Sequence, residues 1–353
     1  MDYQTLHVNS VGKKDSMKKI LLVTDAWYPQ INGVVRVFEK IMGELEKKGY
    51  TFIIISPSLF KTVPLPTYKE IRISLFPKKK IKEILEKEKP DFIHIATEGS
   101  LGIATRNLCK KRGLPFTTSY HTRFTDYVHL RLNMISPNTV YKYLGWFHNA
   151  AQHTMVNTKS MEDELRQYKI TKLVQWPLGV DTGLFIKNEK AKKLKNLKKP
   201  IFTYLGRLAI EKNVEDFLRL ELPGSKLIIG DGPDKKKLEE KYKKNTFFVG
   251  YKQGQDIVDL LSLSDVFVFP SITETFGLVI VEALACSVPV AAYDVQGPKD
   301  IITNGFDGFI GPDLGKNALN CLEIKKTHCR ETALKYSWEN SAECFLRNLV
   351  PIK

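Results

Sequence analysis

Short apolar runs alternate with amphipathic stretches along most of the chain. Lys19–Thr24 (KILLVT) is one such run. Val34, Val37, Phe38, Ile41, Met42 and Leu45 then fall on one face of a helical period. Gly49 stands where a helix C-terminus is expected, and Phe52–Ser56 is the next apolar run. Strand, helix and strand in this order predict a parallel sheet. Phe92–Ile95, Phe116–Ser119 and Thr154–Asn157 continue the series. Residues 188–199 (NEKAKKLKNLKK) break it with a polar, Lys-rich stretch that ends at Pro200. A second series follows at Ile201–Leu205, Lys226–Ile229, Thr246–Val249, Val266–Phe269 and Val288–Ala292. The expected architecture is α/β, with two doubly wound Rossmann-like domains facing across a cleft. The expected boundaries are a disordered polar leader at 1–16, a first domain at 17–190 and a linker at 191–199. A second domain at 200–336 and a helical tail at 337–353 complete the chain.

The length agrees with this division, since 353 residues exceed one ordinary core. No apolar run reaches the roughly 18 residues of a membrane-spanning helix, and no apolar stretch at the N-terminus reads as a secretory signal. Five scattered cysteines without a C-x-x-C pair fit a reducing cytoplasm. Charge changes the picture more. The net charge is +15, and residues 1–190 carry 30 basic against 18 acidic groups. The excess therefore sits in the first domain and speaks to partners rather than to fold. Residues 106–147 interleave Arg106, Arg123, Arg131 and Lys142 with Tyr120, Phe124, Tyr127 and Trp146, and Lys78, Lys79, Lys80 and Lys82 follow Phe76. Basic groups are drawn to an anionic leaflet and aromatic rings enter its boundary. This pattern predicts a monotopic protein on the cytoplasmic face of a membrane. A nucleic-acid partner would explain the charge but would leave the strand-end motifs without a use.

Ligands of doubly wound sheets bind beyond the carboxyl ends of the strands. The loop after the first strand runs from Asp25 to Gly33, where a glycine admits close approach and a helix N-terminus favours an anion. After the first strand of the second domain come Gly206, Arg207, Glu211 and Lys212. A planar guanidinium and a compact ammonium at a strand end suit a diphosphate. Gly230–Pro233 (GDGP) is explained by turn chemistry. The segment Ser264–Val290 reads strand, loop, helix, strand. Glu274 lies in its loop and Glu282 lies in an otherwise apolar helix, where a charge needs a partner. Two carboxylates at two heights can accept from hydroxyls of one elongated ligand. Both carboxylates also admit plain salt-bridge roles, and His121 alone reads as a structural histidine.

Taken together and in order, TDAWYPQINGVVR, TEGSLG, SYHTRF, GRLAIEKN, GDGP, PSITETFGLVIVEA and GPKDII resemble the retaining glycosyltransferases of the large glycogen-synthase-like family with the GT-B fold. The resemblance runs from about Met17 to Leu349. It is nearest the branch of GDP-mannose-dependent α-mannosyltransferases, diacylglycerol glycosyltransferases and sulfoquinovosyl transferases. It implies that Arg207 and Lys212 grip the diphosphate of a UDP- or GDP-sugar. Glu274, with backbone N–H groups of Thr275, Phe276, Gly277 and Leu278, would hold the donor sugar. Glu282 would bind the ribose, Gly33 would border the diphosphate, and His121 would line the sugar pocket. Asp25, Glu98, Arg123 and Tyr127 would face the acceptor. The C-terminal helix would cross back to the first domain. Ser287 departs from the glycine usual at its position, and Arg123 and Asp126 stand where relatives vary.

The implied reaction is hexosyl or uronosyl transfer to a lipid such as diacylglycerol, with retention and without a cofactor. No Asp-x-Asp triplet supports a metal-bridged diphosphate. Two other readings stay open: the same chemistry on a soluble sugar or small molecule, and a non-enzymatic basic binder of membranes or nucleic acid.

Overall fold

The computed structural model describes residues 17–29, 33–65, 68–121, 136–192 and 194–352. The leader 1–16, Arg123, Asp126 and Tyr127 lie outside the described residues. In the first sheet, β1 (Lys18–Val23), β2 (Tyr50–Ile55), β5 (Phe92–Ile95), β6 (Thr117–Tyr120), β7 (His153–Val156) and β8 (Leu173–Gln175) lie in the order β2-β1-β5-β6-β7-β8. All neighbours in it are parallel. Between β2 and β5 the chain forms an antiparallel hairpin, β3 (Thr62–Leu65) and β4 (Tyr68–Ser74). The second sheet comprises β9 (Ile201–Leu205), β10 (Ser225–Ile229), β11 (Thr246–Gly250), β12 (Val266–Phe269), β13 (Val290–Ala292) and β14 (Gly308–Ile310). Its order is β11-β10-β9-β12-β13-β14, again parallel throughout.

Burial explains why these segments are strands. Ile20, Leu21, Leu22 and Val23 are all fully buried, as a strand covered on both faces requires. The helix Gly33–Glu46 buries Val37, Phe38, Ile41 and Leu45, the face set by the sequence period. The predicted strands hold to within two residues at each end. The hairpin, β8 and β14 were not predicted. β8 and β14 are three residues long, too short for a period to register.

The two halves are laced together by the end of the chain. The helix Trp338–Asn348 packs on Gly33–Glu46 and places Phe345 in the first domain, fully buried. The Phe345 ring lies 4.9 Å from both Trp176 and His94, and 5.9 Å from Phe38. Trp176 Nε1 donates to the Ser341 carbonyl at 3.1 Å, and Ser341 Oγ donates to the Pro177 carbonyl at 2.7 Å. Lys48 pairs with Glu343 and Glu339 on the surface. The helical tail therefore does cross back. Asn188, just before the stretch expected as a linker, and Lys198, within it, bond to Ser262, Asp259 and Ser225 of the second domain. At the crossing, Arg330 donates to the carbonyls of Thr182, Phe185 and Ala285.

Truncating a buried Phe costs about 3–5 kcal/mol. Phe345→Ala is expected to lower unfolding stability by about that amount in a urea titration. A loss below about 1 kcal/mol would mean that the C-terminal helix does not close the first core.

Candidate active site

Each sheet has one place where neighbouring strands send their connections to opposite sides, and ligands bind at such switch points. In the first sheet it lies between β1 and β5; in the second it lies between β9 and β12. The loops that leave these four strands hold most of the residues singled out by sequence.

Glycines bring the second-domain loops together. A Cβ on Gly230 would lie 1.8 Å from the Gly206 carbonyl, and one on Gly232 would lie 2.3 Å from the Leu208 carbonyl. Leu208 N–H donates to the Asp231 carbonyl at 2.9 Å. The GDGP segment is thus more than a turn, because its glycines make room for the loop that carries Arg207. Arg207 reaches outward with a side chain 67% exposed. Asn213, in a left-handed conformation (φ 51°), donates from Nδ2 to the Pro270 carbonyl at 3.2 Å. Thr273 Oγ1 donates to the Glu211 carbonyl, also at 3.2 Å. These bonds tie the loop after β9 to the loop after β12. They bring Lys212 Nζ within 2.8 Å of Glu274 Oε2, to which it donates. Glu274 Oε1 accepts from Thr275 N–H at 3.1 Å, so that amide, expected to face the donor, bonds to its own neighbour. Gly277 precedes the helix Leu278–Ala285 with φ 86°, a conformation that favours glycine.

Glu282 is half-buried within that helix. Among the described residues no hydrogen bond reaches its carboxylate. Burial raises its carboxyl to about 7, and Arg36, on the helix Gly33–Glu46 of the first domain, pulls it the other way. The two domains face each other here. Ser160 N–H donating to Asp300 Oδ1 at 2.8 Å is a second contact across the same divide.

The first domain corrects one expectation. Asp25 was expected to face an acceptor, but its carboxylate caps the helix Ser100–Arg112. It accepts from Leu101 N–H at 2.9 Å, Gly102 N–H at 3.3 Å, Ser100 Oγ at 3.0 Å and Thr97 Oγ1 at 3.0 Å. A carboxylate at a helix N-terminus satisfies orphan amides and complements the dipole. A Cβ on Gly99 would meet the same carboxylate at 2.5 Å, which accounts for that glycine. Burial raises the Asp25 carboxyl and the four bonds oppose the rise. Glu98 lies beside it and shares Oε1 with the buried His148 Nε2 at 3.1 Å, while the Tyr143 hydroxyl donates to its carbonyl. Gly33 opens the first helix, exposed, with no atom within 4 Å of where a Cβ would lie. His121 follows β6 directly. Its Nε2 lies 2.8 Å from Ser119 Oγ, and its ring packs edge-on against Phe38 and Trp176. Burial lowers its pKa to about 4, so the ring is neutral at pH 7.

Three polar groups were missed from sequence. Asn157 Oδ1, Ser271 Oγ and Gln296 Nε2 are buried and have no hydrogen-bond partner among the described residues. They follow β7, β12 and β13 at the carboxyl ends of the sheets. A buried unpaired polar atom costs roughly 1–3 kcal/mol, so a ligand hydroxyl is a fitting partner. Their position just after a strand was the available signal.

Comparison with known proteins agrees with this geometry. The family Glycosyltransferase Family 4 matches residues 31–184, and Glycosyl transferases group 1 matches residues 185–320. The chain belongs to the group 1 glycosyltransferases of GT-B fold. It is a hexosyltransferase. The α-monoglucosyldiacylglycerol synthase of Acholeplasma laidlawii is 29% identical over 85% of this chain and 84% of its own length. A GDP-mannose-dependent α-mannosyltransferase of Corynebacterium glutamicum is 27% identical over 83% and 76%. Among solved structures, a sucrose-phosphate synthase from Thermosynechococcus elongatus covers 94% of this glycosyltransferase with a TM-score of 0.74 at 20% identity. Anabaena HepE in complex with UDP covers 94% with a TM-score of 0.68 at 15% identity.

Glu282 makes the glycosyltransferase sensitive to pH in a definite sense. The folded carboxyl keeps its proton up to about 7, whereas the unfolded one releases it near 4.5. Its contribution to stability is therefore present below about 4.5 and is lost as pH rises through 7. Glu282→Gln is expected to lose less stability than the parent between pH 5 and pH 8 in paired urea titrations. Equal losses in the two proteins would mean that this carboxyl titrates as it does in water.

Proposed function

We propose that this glycosyltransferase moves a hexosyl or uronosyl unit from a UDP- or GDP-linked sugar to a membrane lipid such as diacylglycerol, with retention and without a metal. The observation that carries the donor half is the convergence of Arg207, Lys212 and Glu274 at the second switch point. Breaking the anomeric C–O bond leaves positive charge on the sugar and negative charge on the departing diphosphate. Arg207 and Lys212 stabilise that departing charge in a preorganised site. Glu274, oriented by Lys212 and by Thr275 N–H, accepts from sugar hydroxyls. Glu282 accepts from the ribose diol, which offers the hydrogen bonds this carboxylate lacks. The acceptor attacks from the same face, and a phosphate oxygen of the leaving group takes its proton. UDP in the HepE complex and diacylglycerol in the name of the Acholeplasma relative support this reading.

The acceptor half rests on a surface beside the cleft. Phe76 is 92% exposed, with Leu59 and Leu75 partly exposed nearby. With Phe60 and lysines 61, 79 and 80 they border an open cavity of about 430 Å³. Lys80 Nζ donates to the Leu59 carbonyl and lies 5.7 Å from the Phe60 ring. Ser74, just before Leu75, donates its N–H to Ser100 Oγ, which in turn donates to Asp25. An exposed ring among lysines suits an anionic bilayer surface, and its place next to the first switch point suits delivery of a lipid. No helix among the described residues is long and apolar enough to cross a membrane, so attachment would be at the surface.

Purified protein incubated with diacylglycerol vesicles and a panel of UDP- and GDP-sugars in the presence of a chelator should yield a glycosylated lipid by mass spectrometry. Arg207→Ala or Glu274→Ala should lower turnover about 10²–10³-fold. Donor hydrolysis without lipid product would move the acceptor to soluble molecules, and no reaction with any donor would sink the reading. Separately, the protein should float with anionic vesicles at low salt, and Phe76→Ser combined with Lys79→Glu and Lys80→Glu should abolish flotation. Unchanged flotation of that variant would remove this surface from the account.

A further inference from the structure

His121 does not stand alone. Behind it runs an unbroken chain of hydrogen-bonding groups on β5 and β6. Ser119 Oγ lies 2.8 Å from His121 Nε2 and 3.1 Å from His94 Nε2. His94 Nδ1 lies 2.9 Å from Thr117 Oγ1, and Thr117 Oγ1 donates to the Ile93 carbonyl at 3.4 Å. Thr117, Ser119 and His94 are fully or nearly fully buried. The members alternate along β6, so Thr117 and Ser119 present their hydroxyls on one face of the sheet, and His94 on neighbouring β5 fits between them.

The direction of the protons follows from the last link. A carbonyl only accepts, so when Thr117 gives the Ile93 carbonyl its hydroxyl proton it accepts in turn from His94 Nδ1–H. The proton of a neutral imidazole is then spent, and His94 Nε2 is an acceptor. Ser119 donates to it and is left to accept from His121 Nε2–H. The remaining nitrogen of His121, Nδ1, is then a lone pair with no partner among the described residues. We propose that Thr117, His94 and Ser119 are positioning residues that hold His121 as its neutral Nε2–H tautomer and so present Nδ1 as a hydrogen-bond acceptor for a hydroxyl of the donor sugar.

The surroundings keep the chain neutral. Phe38 and Trp176 pack against both rings and Phe345 against that of His94, and burial holds the His94 pKa well below its ordinary value, with His121 adding to the depression. A neutral His121 of this form cannot donate to the diphosphate through Nδ1. It accepts a hydroxyl, and it repels a carboxylate or sulfonate placed against the same nitrogen. Histidine thus serves here as a reader of the sugar, while Arg207 and Lys212 serve the phosphates.

The functional consequence rests on the proposed role of His121 at the donor sugar, but the tautomer can be read without any substrate. In protein labelled with ¹⁵N-histidine, long-range ¹H–¹⁵N correlation spectra at pH 7 should give His121 the pattern of the Nε2–H form. Thr117→Val, three hydrogen bonds away and nearly the same shape, removes the acceptor for His94 Nδ1–H. His94 should then turn its proton toward Ser119, and the His121 proton should shift to Nδ1. Transfer turnover should fall about tenfold, the worth of one misdirected neutral hydrogen bond, with KM little changed. Ser119→Ala should mix the two tautomers, and Ser119→Thr should restore the parent pattern and rate. An Nδ1–H pattern in the parent protein overturns the proposal even if every variant misfolds. So does a His121 pattern that Thr117→Val leaves unchanged. The expected spectra in a protein without transfer or hydrolysis activity would uphold the relay and bring down the proposed reaction instead.

Discussion

The first domain depends on an aromatic cluster assembled from widely separated parts of the chain. Phe38 comes from the first helix, Trp176 from just beyond β8, and Phe345 from the C-terminal helix. Their rings enclose His94 and His121 at centroid distances between 4.9 and 6.3 Å. Burial of three large rings supplies hydrophobic stabilisation, and it also lowers the local dielectric around two imidazoles. The neutral state of His121 is therefore a consequence of core packing. The C-terminal helix has two jobs at once: it seals that core and it joins the two domains.

The second domain reaches its site by a different route. Its constraint is close backbone approach rather than a bulky core. Gly206, Gly230 and Gly232 allow neighbouring loops to touch, and Asn213 and Thr273 tie the loop after β9 to the loop after β12. Arg207 stays exposed for a ligand while Lys212 is held against Glu274. One cation is thus held only by a long, exposed pair with Glu211 at 3.9 Å, and the other is already ordered. Charge within the first domain is likewise divided. The exposed lysines beside Phe76 belong to a surface, whereas Arg106, beneath Trp146, donates from a largely buried position to the carbonyls of Trp146 and Phe147. Part of the basic excess is structural.

Much of this was legible in the residues. Hydrophobic period alone located eleven segments close to their strands and helices, because a buried parallel strand and an amphipathic helix each impose a local pattern. The loop motifs placed Arg207, Lys212 and Glu274 at strand ends, and the fold brings their loops to one switch point. Asp25 was located correctly, but its task was misread. A carboxylate that caps a distant helix and one that awaits a ligand look the same in sequence, since the capped helix begins 75 residues later. Asn157 and Gln296 carry no motif, Ser271 sits in one without drawing notice, and only burial makes their unpaired atoms conspicuous.

The sequence by itself determined the two parallel sheets, the loops that bear chemistry and the family, because each of these is encoded in neighbouring residues. Only the tertiary structure decided that the tail seals the first core, that Glu274 is oriented by Lys212, and that His94, Ser119 and His121 form one chain. Those facts depend on contacts between residues far apart in the chain, and on burial, which sets whether a polar side chain stays in water or must find a partner.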